Sequence, residues 1–184
     1  MSELASPGQL RAAFLRWALV LAPGMLLLGF ISGALSGSGA ENPWFDALVK
    51  PSLYPPPATF GIVWSLLYVM MGLATAMIVT AWGAPLRGAA LAAFGAQFVV
   101  NLVWSPLFFA LHKITAALIL LAVLDVMVIA AVVLYWKVRP RAAMLLLPYL
   151  AWVLFATVLN WQSLQANPGE DGSEVPGAVT QMEI

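Results

Sequence analysis

The sequence predicts an all-α membrane protein, a five-transmembrane-helix bundle with a proline-rich loop between helices 1 and 2. Of its 184 residues, 62% are hydrophobic and only 9% charged, whereas about a quarter of a soluble domain is charged. The mean hydropathy is +0.93. Uncharged apolar runs fall at residues 17–35, 60–82, 88–111 and 142–164, with a fifth at 114–136 broken only by Asp125. Each is close to the ~20 residues that cross ~30 Å of hydrocarbon at 1.5 Å per residue. A transmembrane barrel would need ~10-residue segments of alternating polarity, and nothing here alternates. No internal period marks a repeat, so one bundle is expected.

The elements follow in order. Residues 1–13 form an N-terminal segment. The first run, preceded by Arg11 and Arg16 and followed by "SGALSG", also has features of a cleaved signal peptide, although it exceeds the usual ~7–15-residue signal core. Gly29, Gly33 and Gly37 recur every four residues and predict a smooth helix face for close backbone contact. The stretch "KPSLYPPPATFGIVWSLLY" then places Lys50, Pro51, Pro55, Pro56 and Pro57 together. Proline lacks an N–H and restricts its predecessor, so a rigid, extended loop is expected. That loop is too apolar to lie in water and is expected to cover something. The membrane domain spans 14–166. The tail, 167–184, is acidic and rich in Gly and Pro and is expected to be disordered.

Charge sets the orientation. Arg11, Arg16, Arg87, Lys137, Arg139 and Arg141 fall on one side and Lys50 and Lys113 on the other. By the positive-inside rule the amino terminus and the 83–87 and 137–141 turns are cytoplasmic, and the proline-rich loop and carboxy terminus face out. A net charge of zero leaves no basic field for nucleic acid. Cysteine is absent and histidine occurs once, which excludes disulfides, thiol nucleophiles and a Cys/His metal cluster. No metal site is expected.

The remaining polar residues are few. Asp125 lies at mid-helix, where a charge costs ~2.5–3.5 kcal/mol. It is either functional or a protonated or hydrogen-bonded acid facing a neighbour. Gln97 and Asn101, four apart, share a helix face, and with Asn160 they read as interhelical hydrogen-bond glue or as ligand contacts. Pro23, Pro106 and Pro148 each leave a carbonyl one turn earlier without its donor. Among eight tryptophans, Trp17, Trp82 and Trp136 lie at span ends, as an aromatic belt requires, and Trp44 lies in the loop. Trp64, Trp104 and Trp152 are deeper, where an indole either packs the core or offers a flat face and one N–H to a planar ligand. Gly88, Ala92 and Ala96 make a small-residue stripe that suits either a homodimer interface or contact within the bundle.

Three segments, "WFDALVKPSLYPPPATFGIVWSLLYVMMG", "QFVVNLVWSPLFF" and "LPYLAWVLFATVLN", in this order and spacing, resemble the translocator protein family, also called tryptophan-rich sensory proteins or TspO/MBR. The resemblance runs from about Trp44 to Asn160. It implies a five-helix bundle, usually a homodimer, in a bacterial or organellar membrane. It also implies a pocket near the first loop that binds porphyrins such as protoporphyrin IX and haem. Carried over by motif, that pocket is lined by Phe45, Trp64, Asn101, Trp104, Trp152 and Ala156. Trp64 and Trp152 resemble tryptophans implicated in porphyrin binding and breakdown, and no conventional catalytic group accompanies them. The loop resembles a lid over a hydrophobic cavity, with Lys50 either a partner for ligand propionates or a snorkelling lysine. Two departures stand out. Leu53 and Ala58 replace residues that are often Trp, predicting a lid with less aromatic surface, and "QSLQAN" after "LNW" lacks the proposed cholesterol motif. The implied function is a tetrapyrrole-binding receptor or sensor, with a photo-oxidative porphyrin-degrading enzyme or a transporter as alternatives.

Overall fold

The computed structural model describes residues 6–39 and 41–173. Its elements are α1 (Pro7–Leu35), a short α2 (Pro43–Ala47), α3 (Pro57–Val79), α4 (Arg87–Ser105) continued by a π-helical turn (Pro106–Ala110), α5 (Ile114–Val138) and α6 (Pro140–Ala166). Five of these helices are long and apolar enough to cross a membrane, α4 together with its π turn counting as one, and the described residues contain no strand.

Local chemistry explains where the helices begin. Ser6 opens α1 with a capping box, its hydroxyl accepting from Gln9 N–H at 3.3 Å while the Gln9 side chain accepts from Ser6 N–H at 2.8 Å. Asn42 caps α2 by accepting from Phe45 N–H at 3.0 Å. Pro7, Pro43, Pro57 and Pro140 all stand in the first turn of their helices, where the missing N–H costs nothing. This revises two expectations. The boundary at residues 13/14 falls inside α1, and the proline-rich segment is not extended throughout: Pro57 starts α3, and Trp44 sits on α2 rather than in an irregular loop.

Around the bundle the helices run α1, α3, α6, α5, α4, with α4 returning to touch α1 and α3. The α1–α3 seam is tight because Gly72 meets Ala22: a Cβ there would lie 2.6 Å from the Ala22 backbone nitrogen. At Gly29 an added Cβ would fall 2.8 Å from Tyr68 Cδ2 and closer still to the rest of that ring. Gly37 does not share this face. It lies beyond the end of α1 with φ +63° and serves a turn. Pro106 breaks the α-helical ladder as expected, and the freed Leu102 carbonyl accepts from Ser32 Oγ of α1 at 2.6 Å.

The two ends of the bundle differ in charge. At one end Arg87 Nε donates to Val79 O at 2.9 Å and Arg139 Nη2 to Thr80 O at 3.1 Å, so two arginines from different turns satisfy the C-terminal carbonyls of α3. Arg87 also lies 4.4 Å over the exposed Trp82 ring. At the other end sit the lid (residues 36–39 and 41–56), the α4–α5 corner and the start of the tail. Residues 167–173 are not free chain: they bond to Val49, His112, Thr115 and Trp44. The expectation of a disordered tail therefore fails for these residues, and 174–184 lie outside the described ones.

The core divides in the same way. Met71, Ile78, Phe94, Val128, Tyr135 and Leu146 fill the arginine half solidly. A smaller cluster of Trp44, Leu48, Phe108, Ile114 and Ala117 closes the lid end.

Candidate functional site

Between these clusters lies a cavity of about 530 Å³, within the ~300–1,000 Å³ typical of small-molecule sites. All six residues carried over by motif line it: Phe45 from the lid, Trp64 from α3, Asn101 and Trp104 from α4, Trp152 and Ala156 from α6. A second, open depression of about 420 Å³ between Pro51 and Trp161 gathers none of them.

The walls are aromatic planes at several angles. Trp64 stacks on Tyr68 with centroids 5.3 Å apart, and Trp152 meets Phe60 edge-on at 5.8 Å. Trp104 stacks on Phe108 at 5.2 Å. Overhead, Phe45, Tyr54 and Phe60 form a chain at 5.9 and 5.1 Å. The lid therefore keeps an aromatic underside without tryptophan at Leu53 or Ala58. Both residues are exposed and neither lines the cavity, so the expected loss of aromatic surface does not reach it.

Polar groups are few and mostly engaged. Tyr68 Oη donates to Asn101 Oδ1 at 3.3 Å, and Tyr149 Oη to Gln97 Oε1 at 2.8 Å, linking helices beneath the cavity floor. Asn160 Nδ2 donates to Ile114 O at 3.0 Å and its Oδ1 accepts from Trp104 Nε1 at 3.4 Å. The amides are thus interhelical ties, and Asn101 and Asn160 also face the cavity. The indole N–H of Trp152 is buried without a partner. Asp125 is a hydrogen-bonded acid facing its neighbour: Oδ2 meets Thr157 Oγ1 at 2.9 Å, while Oδ1 has no partner.

Lys50 matches neither sequence expectation in simple form. It lines the cavity, but its ammonium donates to the carbonyls of Phe45, of Leu48 at 3.0 Å and of Asp46 at 3.3 Å. It sits 4.3 Å over the Phe45 ring. The cation caps α2 and holds the lid's shape. Partial burial lowers its pKa, and the Asp46 carboxylate pulls it partly back.

Sequence reading missed Tyr54, Phe60, Tyr68 and Phe108 as lining residues. The alternation of cavity-facing and lipid-facing positions carries no polarity contrast in an all-apolar helix. The described lining residues include no His, Cys or Met, and no metal-binding cluster occurs among the described residues.

Comparison with known proteins agrees with this architecture. The sequence profile of the TspO/MBR family matches residues 19–165. Protein CrtK of Rhodobacter capsulatus is 36% identical over 140 residues, covering 76% of this chain and 86% of that protein. Tryptophan-rich protein TspO of Chlorobaculum tepidum is 34% identical over 151 residues, covering 82% and 96%. The translocator protein of Sus scrofa is 35% identical over 160 residues, covering 84% and 95%. With the match extending over most of the five-helix membrane domain, the chain belongs to the TspO/MBR family.

Proposed function

We propose that this multi-pass membrane protein is a receptor or sensor that binds a planar, largely apolar tetrapyrrole, such as protoporphyrin IX or haem, in the cavity beneath the lid. The observation that carries the reading is the convergence of Trp64, Trp104 and Trp152 on one apolar space roofed by Phe45. Burial of ring surface at ~25 cal/mol per Å² supplies most of the affinity. The Asn101 amide and the unpartnered Trp152 N–H orient the ring. Among the usual side-chain ligands of a haem iron the described lining offers only tyrosine, Tyr54 and Tyr68, and a free-base ring would be held by shape. The sensory role is also the one named for a Cereibacter sphaeroides relative, a tryptophan-rich sensory protein 33% identical over 147 residues.

The test is a titration with protoporphyrin IX, in the dark and under light, of the unaltered chain, Trp64→Phe and Trp152→Phe. It is read by tryptophan quenching and porphyrin absorbance. Saturable dark binding, weakened about threefold to tenfold in each variant by loss of indole stacking, supports the receptor. Tryptophan-dependent bleaching under light would instead support an enzyme in which Trp64 and Trp152 act on the ring. Absence of saturable binding would overturn the tetrapyrrole reading.

Two further proposals concern assembly. Gly88, Ala92 and Ala96 are all exposed on α4, which supports a homodimer through this stripe rather than contact within the bundle. Unchanged crosslinking of Ala92→Leu/Ala96→Leu would exclude it. The cationic end is assigned to the cytoplasm and the lid to the outer face, and cleavage of a tag at residue 184 only from outside would agree.

A further inference from the structure

The lid is held by more than its own packing. Asn167, the residue that ends α6, is 6% exposed and spends its side-chain amide on lid backbone. Its Oδ1 accepts from Val49 N–H at 2.8 Å and its Nδ2 donates to Val49 O at 3.0 Å. Nδ2 also donates to Ser163 O at 2.9 Å, so the amide is pinned to α6, the helix that carries Trp152 and Ala156. Six residues on, Ser173 Oγ accepts from Trp44 Nε1 at 3.2 Å.

The same segment grips the α4–α5 corner. Gly172 N–H donates to His112 O at 2.7 Å, His112 Nδ1 donates to Ser173 O at 2.9 Å, and Asp171 Oδ1 accepts from Thr115 N–H at 3.1 Å. His112 has φ +54°, a backbone state a non-glycine residue keeps only where its surroundings over-determine it. Its ring stacks on Trp44 at 4.3 Å. Gly172, with φ +79°, lies so close to the corner that a Cβ would stand 2.8 Å from Lys113 Nζ. Lid, corner and tail thus meet at one junction built by the first residues after the last helix.

We propose that residues 167–173 are a strap that controls access to the cavity by holding the lid shut from α6 and the α4–α5 corner. This rests on the cavity being the binding site. Opening the lid must break the Val49 pair and the Trp44 bond, together with the Trp44–His112 stack and the bond from Asn42 Nδ2 to Phe109 O, while the strap's own bonds to the corner stay. Among the described residues Asn167 is the side chain that ties Val49. Each such hydrogen bond is worth about twofold to tenfold in an equilibrium, so release of the Asn167 pair shifts the lid toward open by about tenfold.

The chain contains no cysteine, which makes a single thiol a clean reporter. Ser105 lines the cavity, and full-length Ser105→Cys in lipid nanodiscs would be treated with a small, charged thiol reagent. Adding Asn167→Ala, or separately Gly172→Ala, is expected to raise the modification rate about tenfold and to speed both binding and release of protoporphyrin IX. Unchanged thiol rates in both variants would overturn the strap. Should a variant fail to fold, hydrogen exchange on the unaltered chain decides: protection of the Val49 amide is expected, and exchange at the rate of free chain would overturn the proposal. If thiol rates rise while protoporphyrin binds to none of the chains, the strap stands and the tetrapyrrole reading falls.

Discussion

Gly29→Ala adds one methyl group where the Tyr68 ring already sits. In an open helix interior this change is favourable by about 1 kcal/mol, since alanine is the better helix former. Here the added Cβ must displace Tyr68, which is buried, stacks on Trp64 and donates to Asn101. Overpacking of this kind costs about 1–3 kcal/mol. The strained or lost hydrogen bond adds about 1 kcal/mol, and the disturbed aromatic pair about 0.5–1.5 kcal/mol. Steric and polar losses outweigh the propensity gain, leaving a net destabilisation of about 2–4 kcal/mol. Gly24 supplies the reference, because nothing lies within 4 Å of a Cβ there, and Gly24→Ala should be neutral or stabilising by up to about 1 kcal/mol. Gly72→Ala should also destabilise, by forcing the α1 and α3 backbones apart at Ala22, but without touching Trp64. The assay is denaturation of the detergent-solubilised proteins together with near-ultraviolet circular dichroism, which reports the asymmetric setting of the indoles. Only Gly29→Ala should lose stability and the aromatic signal together. A Gly29→Ala protein as stable as Gly24→Ala, with an unaltered aromatic spectrum, would refute the packing described at the cavity floor.

Three other outcomes are expected. Thr157 has one hydroxyl hydrogen yet approaches both Asp125 Oδ2 and Val153 O, at 2.9 and 3.1 Å. The hydrogen count closes when Asp125 is a carboxylic acid donating to Thr157, so Asp125→Asn should cost under about 1 kcal/mol and Thr157→Val about 1–3 kcal/mol in denaturation; a costlier Asn variant would contradict this. Ser32→Ala should cost about 1–2 kcal/mol by orphaning the Leu102 carbonyl, and the cost should shrink in a Pro106→Ala background, where an N–H becomes available; equal costs in both backgrounds would argue against that pairing. For Asp171, burial alone would raise the pKa, but hydrogen bonds from the backbone and side chain of Thr115 and from the Ile114 backbone, with the Lys113 charge, bring it below the ordinary 3.8. Its contribution is therefore complete above that value and is lost as the pH falls below it, so the stability cost of Asp171→Asn, measured by denaturation at each pH, should stay constant from pH 7 to about 4 and shrink only on further acidification.

Apolar run length gave the spanning helices to within a turn or two at most ends, because crossing hydrocarbon is a one-dimensional requirement. The α1 start was ten residues early, since Ser6, Pro7 and Gln9 cap a helix that continues past the apolar run. Pro57 carried a signal that was overlooked: a proline leading an apolar run marks a first helical turn as readily as a loop. The six motif residues were legible as chemistry, but their convergence depends on how each helix is rotated, which uniform apolarity conceals. Tyr68 illustrates this, being the neighbour of both Gly29 and Trp64 with nothing in its flanking residues to say so. The tail failed for the opposite reason. Its composition is that of free chain, yet Asn167, Asp171 and Ser173 each find specific partners, and composition averages such individual contacts away.

The solid packing of Phe94, Val128, Tyr135 and Leu146 in the arginine half has a consequence for traffic. The hollow reaches no farther than Tyr68, Asn101, Leu121 and Leu124, so the molecule is a cup with a thick base and not a pipe. Whatever is taken in must leave by the rim or sideways between staves. Passage from one face of the bilayer to the other would demand that the base itself melt.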